Sequence, residues 1–311
     1  MAVSAPAVGT SVEVRVPASS ANLGPGFDSL GLALGVWDTC RVTVSPGPGV
    51  TVTVRGEGAG SVPLDESHLV LRAMRRAWVE LGVPPPPGLD LDCENAVPHG
   101  RGMGSSATAI VTGIVAAQAL AGGEDVDLGF ANDLASRLEG HPDNASASVF
   151  GGATLSWSDD PQRGTTTVRL PVHPDVVPVV FAPSAQLSTA RARSVLPASV
   201  RLADAAANSA RAAVLVHALG QAPEHLLAGT REWLHQEPRR SSYPASMDLV
   251  DRLRGDGHAA VISGAGPSVL VLATSRTVDV VCAGAPAGWR VLTPDIPERG
   301  ASARVLTARR G

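Results

Sequence analysis

The sequence contains no lysine, so all 25 of its basic residues are arginines. Arginine stays protonated and cannot form a Schiff base, which excludes pyridoxal chemistry. It also excludes a Walker-type phosphate loop, whose lysine reaches the β- and γ-phosphates. Cysteine is scarce: Cys40, Cys93 and Cys282 are far apart in the chain. They fit neither a zinc spacing nor a disulfide framework, and the expected location is the reducing cytoplasm. No apolar run approaches the roughly 20 residues that span a bilayer. The first residues lack the basic-then-apolar pattern of a signal peptide, so no membrane partner is expected. The net charge of -4 provides no basic footprint for nucleic acid. The surplus of Ala, Gly, Arg and Pro fits a GC-rich coding sequence.

What is present is a globular composition. The 311 residues, 44% of them hydrophobic, suffice for one large domain or two ordinary ones. Alternating patterns predict strands over 12–16, 41–44, 50–54 and 89–93, and later over 153–157, 165–170, 176–182, 259–263 and 269–273. Edge strands are expected at 290–292 and 303–306. Helical periodicity predicts helices over 67–81, 105–120, 127–139, 201–219, 224–234 and 246–254. Residues 17–28 read as a turn-rich loop, and Pro46 to Gly49 as a turn joining two strands. The polar stretch Ser158 to Arg163 predicts a boundary near residue 160, giving domains 1–160 and 161–311. Strands and helices do not alternate regularly, so the fold class is α+β rather than a doubly wound parallel sheet.

The most informative segment runs Pro98-His99-Gly100-Arg101-Gly102-Met103-Gly104-Ser105-Ser106-Ala107, directly into a helix. Glycines let the backbone approach an anion and adopt positive φ. The unpaired amides and dipole of the following helix favour negative charge. Ser105 or Ser106 is expected to cap the helix, and either hydroxyl is within reach of phosphate or Mg²⁺. Alone, the segment leaves three readings open. It is also a plain serine-capped turn, and Gly102-x-Gly104-x-x-Ala107 has dinucleotide-fingerprint spacing. The acidic residues near the required distance, Glu124 and Asp125, follow a helix instead of ending a strand, against that fingerprint.

Two further segments accompany the loop: Pro17-Ala18-Ser19-Ser20-Ala21-Asn22-Leu23-Gly24-Pro25-Gly26-Phe27-Asp28, and Ser263-Gly264-Ala265-Gly266-Pro267-Ser268. In this order and spacing the three resemble the signatures of the GHMP kinases, the family of galactokinase, homoserine kinase, mevalonate kinase and phosphomevalonate kinase. The resemblance covers nearly the whole chain. It implies a two-domain fold, with an N-terminal ATP-binding domain like domain 2 of ribosomal protein S5 and a ferredoxin-like C-terminal domain. Glu139-Gly140-His141-Pro142-Asp143-Asn144, Leu187-Ser188-Thr189 with Arg193, and His235-Gln236-Glu237-Pro238-Arg239 are most similar to the branch that phosphorylates L-homoserine. Glu237 and Pro238 depart from that branch, which often has a proline and an aromatic residue there.

The resemblance implies ATP-dependent phosphorylation of L-homoserine to O-phospho-L-homoserine, for threonine biosynthesis. Residues Pro98, Gly100, Arg101, Gly102, Met103, Gly104, Ser105, Ser106 and Ala107 would hold the nucleotide. Ser106 and Glu139 would bind Mg²⁺. Homoserine is a zwitterion; Arg193 and Arg239 suit its carboxylate as bidentate donors, Asp28 its ammonium, and Asn22 and His141 its remaining polar atoms. Asn144 and Thr189 are expected to orient the reacting groups. Asp143 stands where some relatives keep a base, but the lysine that accompanies it there is missing, so a partly structural role is expected. Gly264, Ala265 and Gly266 would form a second turn beside the phosphate loop, and the adenine pocket is expected near His68 to Arg72 and the Pro98 approach. Another GHMP kinase acting on a different small alcohol, and a silent ligand-binding member, remain alternatives. A homodimer is compatible with these readings.

Overall fold

The computed structural model describes residues 4–160 and 164–307. The chain opens with β1 (Ser11–Ala21), β2 (Leu30–Ser45) and β3 (Gly49–Gly56), followed by α1 (Leu69–Leu81) and β4 (Gly88–Asn95). Then come α2 (Ser105–Gly122), α3 (Leu128–Glu139), α4 (Asp143–Phe150), β5 (Ala153–Trp157) and β6 (Thr166–Leu170). These strands form one sheet with the order β1-β2-β4-β3, and β5 and β6 extend it from the other end of β2. Although Pro46 to Gly49 turns the chain as expected, β2 and β3 do not pair. Strand β4 lies between them, antiparallel to β2 and parallel to β3. Parallel neighbours need a crossover, and α1 supplies it.

Helices α1 to α4 cover one face of this sheet. Against the expectation that no run nears membrane-spanning length, helix α2 is apolar on all sides and, by length and composition alone, long and apolar enough to cross a membrane. Here it is core: thirteen of its residues are buried, packed with Trp78, Met74 and the valines of β1 and β2. Its contact with α1 is close. A Cβ added at Gly113 would lie 2.3 Å from the Val70 carbonyl and 2.7 Å from Ala73 Cβ.

The second half contains β7 (Val176–Ala182), α5 (Thr189–Ser194), α6 (Leu202–Gly220), α7 (Leu226–Gly229), α8 (Gln236–Arg239) and α9 (Pro244–Gly255). It continues through β8 (Ala260–Ile262), β9 (Val269–Thr274), α10 (Val278–Ala283), β10 (Arg290–Leu292) and β11 (Ser302–Thr307). An antiparallel sheet ordered β10-β7-β9-β8 gives the split β-α-β arrangement of a ferredoxin-like domain, with α9 and α10 packed on it.

Several expectations change. The loop expected over 17–28 begins only after Ala21, because β1 pairs with β2 through Ala21↔Gly31, shifting register at Pro17/Ala18. The helix expected over 224–234 stops at Gly229; Thr230 turns its hydroxyl back onto the Leu226 carbonyl. Helices α4, α5, α8 and α10 have no counterpart in the sequence reading. Sheet membership does not change at residue 160, either. Strand β6 still pairs with β5, the second sheet starts at Val176, and β11 crosses back to pair with β1.

Replacing Gly113 with valine is expected to destabilise the protein by roughly 1–3 kcal/mol through overpacking between α1 and α2. An unchanged urea midpoint would show that the two helices are not in contact there.

Candidate active site

The glycine-rich loop owes its path to two close approaches that only glycine avoids, one to backbone and one to a side-chain hydroxyl. Gly102 and Gly104 both have φ of +72°. A Cβ at Gly102 would meet the Ser263 carbonyl at 2.1 Å, and one at Gly104 the Ser19 hydroxyl at 2.2 Å. Gly104 itself is the N-cap of α2, and no side chain caps the helix. The expected serine cap is therefore absent: Ser105 and Ser106 lie inside the first turn, and the N–H groups there are left for an anion. The Ser106 hydroxyl instead donates to Glu139 Oε1 at 2.5 Å.

Hydroxyl groups fasten the three glycine-rich segments together. Ser263 Oγ donates to the Gly102 carbonyl at 2.6 Å and lies 2.8 Å from Ser20 Oγ. The Gly264 amide donates to the Ala21 carbonyl, and Asn22 Nδ2 donates to the Gly264 carbonyl at 3.1 Å. Ser19 Oγ donates to Asn144 Oδ1 at 3.0 Å. Asn22 and Asp28 both take left-handed backbone, with φ of +69° and +55°. Such conformations are uncommon outside glycine and concentrate at functional sites. Asn22 Oδ1 accepts from the Asp28 amide, closing the turn between them.

These contacts form a cavity of about 210 Å³. It brings together Asn22, Asp28, Gly100, Gly102, Gly104, Ser105, Ser106, Glu139, His141, Asp143, Asn144, Thr189, Arg193, Arg239 and Gly264 to Gly266, nearly every residue expected from the sequence. Four do not point there. Met103 and Ala107 are buried in the core, because the helix entry turns them inward. Arg101 donates to the Pro183 and Ser184 carbonyls and sits with Pro98 on a separate surface groove. These four shape the loop from behind. The sequence reading also missed Phe27, Leu187 and Ser188, which line the cavity; the quoted motifs contained all three without a chemical reason to select them.

Charge is distributed unevenly over the walls. Arg193 forms a two-pronged ion pair with Asp28, at 3.0 and 2.5 Å, which raises the guanidinium pKa. Arg239 is only 2% exposed. Its Nε donates to the Ala192 carbonyl, no carboxylate among the described residues pairs with it, and burial lowers its pKa. Each guanidinium lies 5.6 Å from the centre of the Phe27 ring, on which His235 also stacks. Asp143, 1% exposed, accepts from His141 Nδ1 at 2.6 Å and from the Asn144 amide at 2.7 Å. Burial opposes charge on His141, but the hydrogen bond and charge of Asp143 outweigh it and raise its pKa.

Glu139 forms no ion pair among the described residues. Burial pushes its pKa up, against the Ser106 hydrogen bond. A desolvated carboxylate beside a hydroxyl, with no cation of its own, fits a divalent ion bound next to phosphates. Asp28, His141 and Asp143 also lie close enough to share an ion, yet each already has a partner in Arg193 or in one another. A second, more apolar cavity of about 350 Å³ adjoins the first at Gly100, Ser105 and Ser106. It is lined by His68, Leu69 and Val70, where a base pocket was expected, and also by Asp38, Cys40 and Cys93. The two cysteines are 53 residues apart in sequence, but they face each other across β2 and β4 as free thiols, with sulfurs 3.2 Å apart.

Comparison with known proteins agrees with this architecture. Residues 68–152 match the family model for the GHMP kinases N terminal domain, and residues 210–290 that for the GHMP kinases C terminal. The chain belongs to the GHMP kinases. Its relatives include the homoserine kinases of Clavibacter michiganensis, 48% identical over 97% of both chains, and Streptomyces coelicolor, 49% identical over 94% of both. The crystal structure of homoserine kinase from Cytophaga hutchinsonii superimposes with a TM-score of 0.82 at 26% identity, covering 94% of this chain and 97% of that one. A mevalonate diphosphate decarboxylase from Staphylococcus aureus shares the fold at 14% identity and a TM-score of 0.65.

The raised pKa of His141 has a signed consequence for stability. Because the folded value exceeds the ordinary 6.5, the protonated pair stabilises the fold fully below pH 6.5, and its contribution is lost as pH rises through the folded value. The Tm difference between wild type and His141→Gln is expected to be largest below pH 6.5 and to shrink as the pH rises above it. A difference that does not vary with pH would remove the charged pair from the account.

Proposed function

We propose that the chain is an ATP:L-homoserine phosphotransferase that makes O-phospho-L-homoserine for threonine synthesis. One observation carries the substrate: Arg193 and Asp28, a guanidinium and a carboxylate, form an ion pair beside the unpaired guanidinium of Arg239, all within the cavity that contains the phosphate loop. A zwitterionic amino acid presents the same two charges. Its carboxylate is received by Arg239 and Arg193, and its ammonium by Asp28, with Asn22 and His141 completing the polar lining. The relatives named above support this reading.

The first-turn amides of α2, with Ser105 and Ser106, hold the phosphates. Ser106 and Glu139 would hold Mg²⁺, which neutralises charge on the transferring group when bound. Asn144 and Thr189 orient the reacting groups. The homoserine oxygen attacks the γ-phosphorus, the bond to the bridging oxygen breaks and ADP leaves. The hydroxyl proton passes to phosphate or solvent. Such a transfer goes through a loose transition state and depends mainly on positioning and electrostatics. Asp143 is a positioning residue here, since Oδ1 is already engaged by His141 and Asn144.

ATP consumption measured in parallel with homoserine, mevalonate, galactose and shikimate tests the substrate. Turnover of another alcohol without turnover of homoserine would overturn the proposal. Asp143→Asn is expected to keep kcat within about tenfold of wild type, roughly 1.4 kcal/mol. A much larger loss of kcat at unchanged homoserine KM would instead make Asp143 a base.

A further inference from the structure

The second cavity contains a charged group that phosphoryl transfer does not use. Asp38 stands on β2, opposite Val16 of β1, and is 7% exposed. Its Oδ1 accepts from the Ala96 amide at 2.7 Å and the Val97 amide at 2.9 Å, fixing the chain just before the phosphate loop. Both bonds engage Oδ1, no hydrogen bond among the described residues engages Oδ2, and the residue borders the cavity. Burial raises the Asp38 pKa to about 6, against the two amides and with help from Glu57. The two amide donors on Oδ1 favour the carboxylate form, which is an acceptor with nothing to donate. Around it the walls are uncharged: Cys40, Cys93, Leu69, Val70 and Ala109. His68, 6% exposed, leaves Nδ1 buried without a hydrogen-bond partner, and burial lowers its pKa.

The cavity opens onto the phosphate site at Gly100, Ser105 and Ser106, where a nucleotide's base would enter. We propose that Asp38 selects the base of the phosphoryl donor, its Oδ2 accepting the exocyclic amine of adenine and repelling the keto oxygen that guanine carries in the same place. The inference rests on the proposed function in taking a nucleoside triphosphate as donor. The chemistry is one-sided: adenine offers an N–H₂ donor at that edge and guanine an oxygen acceptor. A buried carboxylate facing an acceptor leaves two desolvated oxygens together without a proton, so the site discriminates by repulsion as well as attraction.

The test compares kcat/KM for ATP, GTP and purine riboside triphosphate, which lacks the amine. Wild type is expected to lose at least about tenfold on purine riboside triphosphate and more on GTP. Asp38→Asn keeps one oxygen for the Ala96 and Val97 amides and turns the other arm into a donor. Its GTP-to-ATP ratio of kcat/KM is expected to rise by about tenfold or more. A ratio within about twofold of wild type in a folded variant overturns the proposal. So does equal use of ATP and purine riboside triphosphate by the wild-type enzyme, a result that stands even if the variant does not fold. If no triphosphate supports homoserine phosphorylation, the proposed function fails first. Calorimetric titration with non-hydrolysable ATP and GTP analogues then still decides the base preference, equal affinities overturning it.

Discussion

The site depends on one hydroxyl group. Ser263, fully buried, joins the phosphate loop at Gly102 to the end of β1 at Ser20, and so ties together segments from three distant parts of the chain. A buried polar group costs stability unless it is satisfied. Here that cost fixes the path of the chain, since a displaced loop would strand Ser263 without its partners. The glycines serve the same constraint. Gly102 has no Cβ because the Ser263 carbonyl occupies its place, and Gly104 has none because the Ser19 hydroxyl does. The serine-rich stretch at 19–20 thus works mainly as an anchor, and Asn22 and Asp28 continue from that anchor into the cavity.

The two faces of the cavity are electrically different. One side presents the backbone amides of the 100–106 loop and Glu139, a carboxylate with no ion pair among the described residues. The opposite side presents two arginines against a phenylalanine ring. Arg193 keeps Asp28 as a partner, so neither charge is left bare. Arg239 has no carboxylate partner among the described residues and rests on the Ala192 carbonyl, His235 Nδ1 and the Phe27 ring. An amino acid that inserts into the Asp28–Arg193 pair replaces each charge's partner with an equivalent one, which keeps desolvation costs low. A ligand with only one of the two charges would leave either Asp28 or Arg193 unmatched.

Much of this was legible in the sequence because glycine and serine motifs record backbone constraints directly. The strands at 50–54, 153–157 and 176–182 were visible from alternation, and the helices at 67–81 and 127–139 from their apolar stripe. Short helices were not. Helices α5 and α8 span six and four residues, too few for a periodic signal, and α4 is a run of small residues with no apolar face to detect. The long β1 was shortened in the reading because Pro17 marks a register shift rather than an end. Motif residues facing the core, Met103 and Ala107, could not be told from those facing the ligand, since both keep the loop in place. Asp38 was missed because a single acid in a strand has no neighbours in sequence that reveal its cavity.

The return of β11 to the first sheet has a consequence for how the protein is made. Strand β1 leaves the ribosome long before one of its two neighbours, residues 302–307. Until then one edge of β1 has no partner, although its other edge can pair with β2. Open strand edges are templates for pairing with other chains, and contacts this distant in sequence close slowly. Arg15 and Glu13 alternate with the buried valines along that edge, and charged side chains on an exposed edge discourage pairing with strangers. The same strand that completes the first sheet therefore also ends the period in which the nascent chain has to be protected from its neighbours.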